Sequence, residues 1–290
     1  MAEWINTIVQ GVLLGGLYAL FAAGLSISFG VMRMINIAHG DMIILASYAA
    51  IVGASYLKLP MLFTVVLVVL VLSALGYGAQ RLVFNRTLGG DLLRPLLLTF
   101  GLSIVIRESL QAVFSADVRS VDVGPIATAT WNLGAQINIG VLPLVVMLVG
   151  LASIAALQWL FARSRMGRSF RATSDDADTA SLMGVDRKHI YALAMVFASA
   201  MVALAGVFLV MRTTVSPTDG PARLIYAFEA VIIGGLGSLW GTVAGGVVLG
   251  VAQAIGSRLD PGWGILAGHL AFLAILWVRP QGLFPTTRER

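Results

Sequence analysis

The chain is predicted to be an all-α polytopic membrane protein of about eight transmembrane segments, within a range of seven to nine, two of them broken. Three observations carry this. Hydrophobic residues make up 58% of the 290 positions and charged residues 11%, where a soluble domain carries about 25% charge. Mean hydropathy is +0.91. The apolar residues are gathered into runs of the roughly 20 residues that a bilayer demands, and no polar stretch exceeds about 30 residues, too short for an appended soluble domain of ordinary size. The whole of 1–290 therefore reads as a single transmembrane domain.

The runs follow one another in order. Trp4 to Met32 is uncharged and long enough to span. It is preceded by an acid and by no Lys or Arg, so it lacks the basic start of a cleaved signal and is expected to remain as a span. Met34 to Leu57 carries His39 and Asp41 near its start, and Leu59 to Gln80 follows Lys58. A basic link with Arg81, Arg86 and Arg94 leads into a run from Pro95 to about Phe114, which is interrupted by Arg107 and Glu108. Asp117 to Asn138 is a Gly/Thr/Asn-rich loop. Ile139 to Phe161 and Ile190 to Met211 bracket a polar island at 163–189. Thr213 to Arg223 is turn-rich, with Pro217, Gly220 and Pro221. Ile225 to Ser257 is long and broken by glycine, and Gly262 to Val278 is the last run.

Lys and Arg in short loops set the orientation. The island holds Arg163, Arg165, Arg168, Arg171, Arg187 and Lys188, about a third of the 19 basic residues. The link at Arg81–Arg94 and the tail with Arg279, Arg288 and Arg290 are also basic. All three are expected on the cytoplasmic side, with the N-terminus outside and the C-terminus inside. That parity needs an odd number of crossings, so Ile225 to Ser257 must either re-enter or cross twice. The net charge of +5 and pI near 10.0 are explained by this bias, and nucleic acid is not an expected partner. Membrane lipid is. Cysteine is absent, which excludes disulfides and thiolate metal sites.

Two places depart from plain spans. In Asn36-Ile37-Ala38-His39-Gly40-Asp41 a charge within a span is costly, so Asp41 suggests a helix start near an interface or a cavity, where the helix dipole favours it. Asn36, His39 and Asp41 either anchor the span at the headgroups or line the solute pathway. The second place is Gly234-Gly235-Leu236-Gly237-Ser238, followed by Gly241, Gly245, Gly246 and Gly250. Glycines here can unwind a helix at membrane depth, tolerated only where the backbone is covered or lines a cavity. They can also permit close helix packing at GxxxG spacing. Gly234, Gly235, Gly237 and Ser238 are the candidates for an unwound pathway element. Glu229, just before them, is an anchor or a pathway residue.

Within the island a short helix is expected from Ser174 to Gly184. Ser174 suits the N-cap, Asp175, Asp176 and Asp178 the first turn, and Gly184 the position after the C-terminus. Ala177, Ala180 and Ser181 form a small, flat side. Such a helix under the membrane is a docking element or a solvated connection.

The order of motifs resembles one family. Gly167-Arg168-x-x-Arg171-Ala172-x-Ser174 with Ala180-x-x-Met183-Gly184-Val185 is similar to the cytoplasmic loop of branched-chain amino acid type ABC permeases. Gly30 to Asp41 resembles that family's N-terminal signature, Ala227 to Gly241 its C-terminal one, and Arg279-Pro280-Gln281-Gly282-Leu283-Phe284 its tail. The resemblance covers nearly the whole chain and looks like the shorter of two permease types.

The resemblance implies an ABC importer permease fold and an inner-membrane subunit of a bacterial uptake system for branched-chain or other hydrophobic amino acids. It implies three kinds of partner: a second, related permease chain, two cytosolic ABC ATPases, and a periplasmic solute-binding protein. The island would be the coupling helix, with Arg171, Ser174, Asp175, Asp176, Ala177, Ala180 and Gly184 facing an ATPase. No cofactor and no catalytic residue is expected, because ATP would be used by the partners. Consistent with this, there is no GxxxxGK[ST] phosphate loop, and the only lysines are Lys58 and Lys188. Glu229 and Trp240 depart from the family pattern and point to a variant solute such as a urea, an amide or an aromatic acid. A secondary transporter or channel would place more ionisable residues in its spans than are present here. An intramembrane protease would need a serine turn that Ser238 does not supply.

Overall fold

The structure is a computed structural model that describes residues 1–87, 93–132 and 137–284. Its helices are α1 (Ala2–Met32), α2 (His39–Ile51), α3 (Met61–Leu82), α4 (Leu93–Phe114), α5 (Val141–Arg163), α6 (Arg165–Asp175), α7 (Ala177–Leu182), α8 (Arg187–Arg212), α9 (Gly220–Gly234), α10 (Leu239–Leu259) and α11 (Trp263–Val278). α2 continues into one π-helical turn, Val52–Tyr56. A small antiparallel ribbon pairs β1 (Thr130–Asn132) with β2 (Asn138–Gly140). Among the described residues, six helices are long and apolar enough to cross a membrane: α1, α3, α4, α5, α8 and α10. α2, α9 and α11 are shorter and run beside them.

Long-range bonds sort the chain into two ends. At one end, Arg258 pairs with Glu3, Asn6 and Gln10 bond to Asn138, Arg119 donates to Tyr56, and Arg119 forms a β-bridge with Val215. At the other, Ser174 bonds to Gly30, Asn85 to the carbonyl of Lys188, and Leu283 to the carbonyl of Ile233. The termini of the described chain therefore lie at opposite ends. The stretch Ile225 to Ser257 meets the parity requirement by running twice between the ends, as α9 and then α10.

α1 and α8 form the centre, with most of their length enclosed, while α3, α4 and α5 are largely exposed. In a bilayer that exposure is expected of helices that face lipid or another membrane-spanning chain, since their backbone polar groups are satisfied within the helix. All six tryptophans are exposed, and they divide between the two ends: Trp4, Trp131 and Trp263 at one, Trp159, Trp240 and Trp277 at the other. This is the arrangement of interfacial aromatic belts.

α10 packs through small residues on two faces. Gly246 and Gly250 lie against Gly15 and Gly11 of α1, and Gly241 and Gly245 lie against Gly234 and Ala230 of α9. At each contact a side chain would collide with backbone, so the two GxxxG pairs serve two different neighbours. The α9 pairing is antiparallel. Gly234-Gly235-Leu236-Gly237-Ser238 is therefore not a span unwound at mid-depth, as one sequence alternative had it, but a reversal at the end of the bundle. Gly235 and Gly237 carry φ of 103° and 80°, which glycine adopts without a steric penalty. Ser238 caps α10 by accepting from the amide of Gly241 at 3.0 Å.

The island also differs in detail. It forms two helices rather than one. Ser174 sits in the last turn of α6, where its hydroxyl donates to Gly30 O at 2.5 Å. The N-cap of α7 is Asp176, whose carboxylate accepts from the amides of Asp178 and Thr179. Asp176 takes extended backbone at φ −153°, which ends α6 and resets the chain. Gly184, at φ 86°, follows α7 as expected. Arg288 and Arg290 lie outside the described residues.

Candidate functional site: buried polar clusters and the end-of-bundle loop

The segment Arg33 to Ala38 leaves the helical path and doubles back along α1. The imidazole Nε2 of His39 lies 2.7 Å from the carbonyl of Phe21, about 16 Å from the end of α1 at 1.5 Å per residue. A carbonyl only accepts, so Nε2 carries the proton. Asn36 Oδ1 accepts from the amide of Ala38 at 3.0 Å, and the amide of Ile37 donates to Thr99 Oγ1 of α4 at 3.2 Å. These bonds satisfy irregular backbone in an apolar interior, where each unpaired group is costly. Asn36 and His39 are thus enclosed and occupied by the protein itself.

Asp41, buried in the first turn of α2, is the centre of a three-helix junction. Ser103 of α4 donates to its Oδ2 at 2.5 Å, and Arg107 Nε lies 3.5 Å from Oδ1. Gly220, the first residue of α9, lies flat against the carboxylate, leaving no room for a side chain. The N-termini of α2 and α9 both approach Asp41, and both dipoles favour its charge. The arrangement is a buried tie between α2, α4 and α9.

Glu229 belongs to a second cluster. Its Oε1 lies 2.5 Å from His269 Nδ1 of α11, and Tyr226 stacks on the imidazole with centroids 6.4 Å apart. Tyr18 of α1 packs on Tyr226 and donates to Gln253 Oε1 of α10 at 2.6 Å. Glu229 Oε2 is buried with no hydrogen-bond partner. The structure therefore divides the sequence candidates among three places: Asn36, His39 and Asp41 in the first cluster, Glu229 in the second, and Gly234, Gly235, Gly237 and Ser238 at the end turn.

That turn is tied to the island. The amides of Leu283 and Phe284 donate to the carbonyls of Ile233 and Gly234 at 2.8 and 2.9 Å, capping the end of α9. Gly30 faces Gly237 on one side and accepts from Ser174 on the other. α6 is fastened by Phe170, enclosed by Phe161 and Phe197, and by Arg171, which donates to the carbonyl of Phe161 at 2.6 Å. On α7, Ala180 turns into the body and Ala177 is half-buried, while Asp175 and Asp176 are exposed. The Thr179 hydroxyl and amide hold the Asp176 carboxyl below its ordinary value. The most exposed apolar residues in the loop are Leu182 and Met183.

Sequence reasoning missed Ser103, Thr99, Tyr18 and Gln253 as cluster members, and Leu182 and Met183 as the outward apolar face. Signals existed for some of these. Arg107 and His269 were among the few ionisable residues inside apolar runs, and such groups pair with one another. Leu182 and Met183 directly precede the glycine that ends α7.

The geometry defines a class of protein: a polytopic helical membrane subunit with a capped, apolar-tipped helix pair held beneath one end. The family model for the branched-chain amino acid transport system permease component matches residues 7–275, and the chain belongs to that family. It is 31% identical to the high-affinity branched-chain amino acid transport system permease protein BraD of Pseudomonas aeruginosa, over 97% of this chain and 95% of that one. It is 29% identical to LivH of Escherichia coli K12 with the same coverage. The fructose import permease protein FrcC of Rhizobium meliloti is 30% identical over 72% of this chain and 62% of its own. Among solved structures, PsaBC from Streptococcus pneumoniae in complex with Fab matches with a TM-score of 0.51 at 17% identity, over 97% of this chain and 96% of that one. That likeness bears on the fold.

Proposed function

We propose that this chain is the membrane permease subunit of an ATP-driven uptake system for branched-chain or related hydrophobic amino acids. It works beside a second permease chain, above two cytosolic ABC ATPases, and receives solute from a periplasmic binding protein. The end bearing the island, the α9–α10 turn and the tail faces the cytoplasm of a bacterial inner membrane, because Arg33, Arg81, Arg86, Arg163, Arg165, Arg168, Arg171, Arg187, Lys188 and Arg279 gather there.

The observation that carries this reading is α7. It is a short helix, capped by Asp176, that holds Leu182 and Met183 out into water. Two adjacent, almost fully exposed apolar side chains on an ordered element outside the spans suit contact with another protein. The preceding helix α6 is joined to the spans by the bond from Ser174 to Gly30, and Gly30 touches the α9–α10 turn. A push on α7 reaches α1 and that turn through a continuous set of contacts.

The test uses Leu182→Asp and Met183→Asp in membranes expressing the complete system. Both residues are exposed, so the fold is undisturbed. The expected result is normal membrane levels, loss of ATPase co-purification and at least a tenfold fall in leucine uptake. Wild-type uptake by both variants would remove the docking role of α7. Parallel uptake assays with fructose and a short amide decide the solute class.

A further inference from the structure

The exposed faces of the membrane helices are not alike. The outward side of α3 shows Leu62, Phe63, Val66, Leu67, Leu70, Val71 and Leu75, all apolar. The side of the molecule built from α1, α5, α10, α11 and the β-ribbon carries every tryptophan, three at each end. Both are lipid-facing by composition. α4 is different. It packs on the body through Pro95, Thr99, Ser103 and Leu110. At about 100° per residue, Leu97, Gly101, Val105, Glu108 and Ala112 fall on one stripe, turned away from those four. All five are exposed.

Two members of this stripe do not suit lipid. Glu108 lies six residues before Phe114, about 9 Å inside the end of the helix. Its carboxylate has no hydrogen bond or ion pair among the described residues. A carboxylate facing hydrocarbon is strongly disfavoured, and such groups face protein or a water-filled cavity. Gly101 is at the middle of the helix, and a side chain added there would meet nothing within 4 Å. Among the described residues, a glycine serves no packing need at that point. Exposed small residues such as Gly101 and Ala112 are what lets another helix approach closely.

We propose that the stripe Leu97–Gly101–Val105–Glu108–Ala112 is the seam on which the second permease subunit packs, helix against helix. The partner's backbone approaches at Gly101, and it presents a hydrogen-bond donor or a cation to Glu108. The occupant is a membrane-spanning chain of the same fold, because the stripe runs within the length of a span and its one carboxylate, Glu108, adjoins Arg107. That guanidinium joins the seam to Asp41 and so to α2 and α9. The inference rests on the two-permease reading above.

The complete assembled transporter is used for the test. A photo-reactive benzoylphenylalanine is placed singly at Val105 and Ala112, and at Leu67 of α3 and Leu266 of α11. After irradiation, adducts at 105 and 112 with a polypeptide identified by mass as the second permease support the seam, with none at 67 or 266. Adducts at 67 or 266 in place of the α4 positions overturn it. As an independent measurement, Gly101→Phe is expected to leave this chain folded, since the site is open, and to lower retention of the second permease on co-purification at least tenfold. Full retention overturns the seam. A native mass showing a single permease chain in the working complex overturns the two-permease reading itself, and the seam with it.

Discussion

Asp41 shows how one residue turns a costly group into a structural tie. An unpaired carboxylate in an apolar interior is disfavoured by several kcal/mol. Here Ser103, Arg107 and two helix N-termini share it. Removing a partner is worse than never having had the pair, because the other charge remains. Ser103→Ala is expected to destabilise the protein by about 1–3 kcal/mol, and Arg107→Leu by about 3–5 kcal/mol. Thermal unfolding in detergent, read by tryptophan fluorescence, checks the order. Equal, negligible losses would show that Asp41 is not held by these groups. The carboxylate was visible in the sequence, and so was the helix start that it marks. Ser103, 62 positions away, was not, because a serine in an apolar run has no periodic or charge signature.

The α9–α10 hairpin makes the same point for an element. Glycine spacing requires something to come close and fits two physical outcomes, unwinding and packing. The answer depended on which surfaces the glycines met. Gly241 and Gly245 meet α9, so the break between them and α9 is a reversal. Gly245→Val would force β-branched bulk against the carbonyl of Ala230, and overpacking of this kind costs about 1–3 kcal/mol, occasionally more. The expected result is loss of a monodisperse peak in size-exclusion chromatography. Ala244→Val, at a half-buried position on the same helix, is expected to be tolerated. Equal behaviour of the two would remove the packing argument. The island divided into α6 and α7 for a related reason. Ser174 and Asp176 are both good caps, and only the docking of Ser174 on Gly30 decides that Asp176 is the one used.

For the whole molecule, the sorting of loops into two ends follows from bonds across long sequence separations, and it agrees with the bias of basic residues. The expected topology is an extracytoplasmic N-terminus and a cytoplasmic C-terminus. Fusions of alkaline phosphatase and of green fluorescent protein to the two ends check it: phosphatase active at the N-terminus and fluorescence at the C-terminus. The reverse pattern would invert the positions of the island and the β-ribbon and exclude α7 as an ATPase contact. The tryptophan belts predict the same membrane plane without reference to charge.

The class of protein, the positions of the long spans and the basic island were set by composition and run length, because lipid imposes a crude, local constraint that a sequence must obey everywhere. Four motifs in order make the family legible in the sequence alone. What only the tertiary structure decided was pairing: Asp41 with Ser103 and Arg107, Glu229 with His269, Ser174 with Gly30, and each GxxxG with its own neighbour. Those choices depend on which helix faces come together. Apolar runs leave that undetermined, since a helix that is apolar all round carries no mark of which side will be buried.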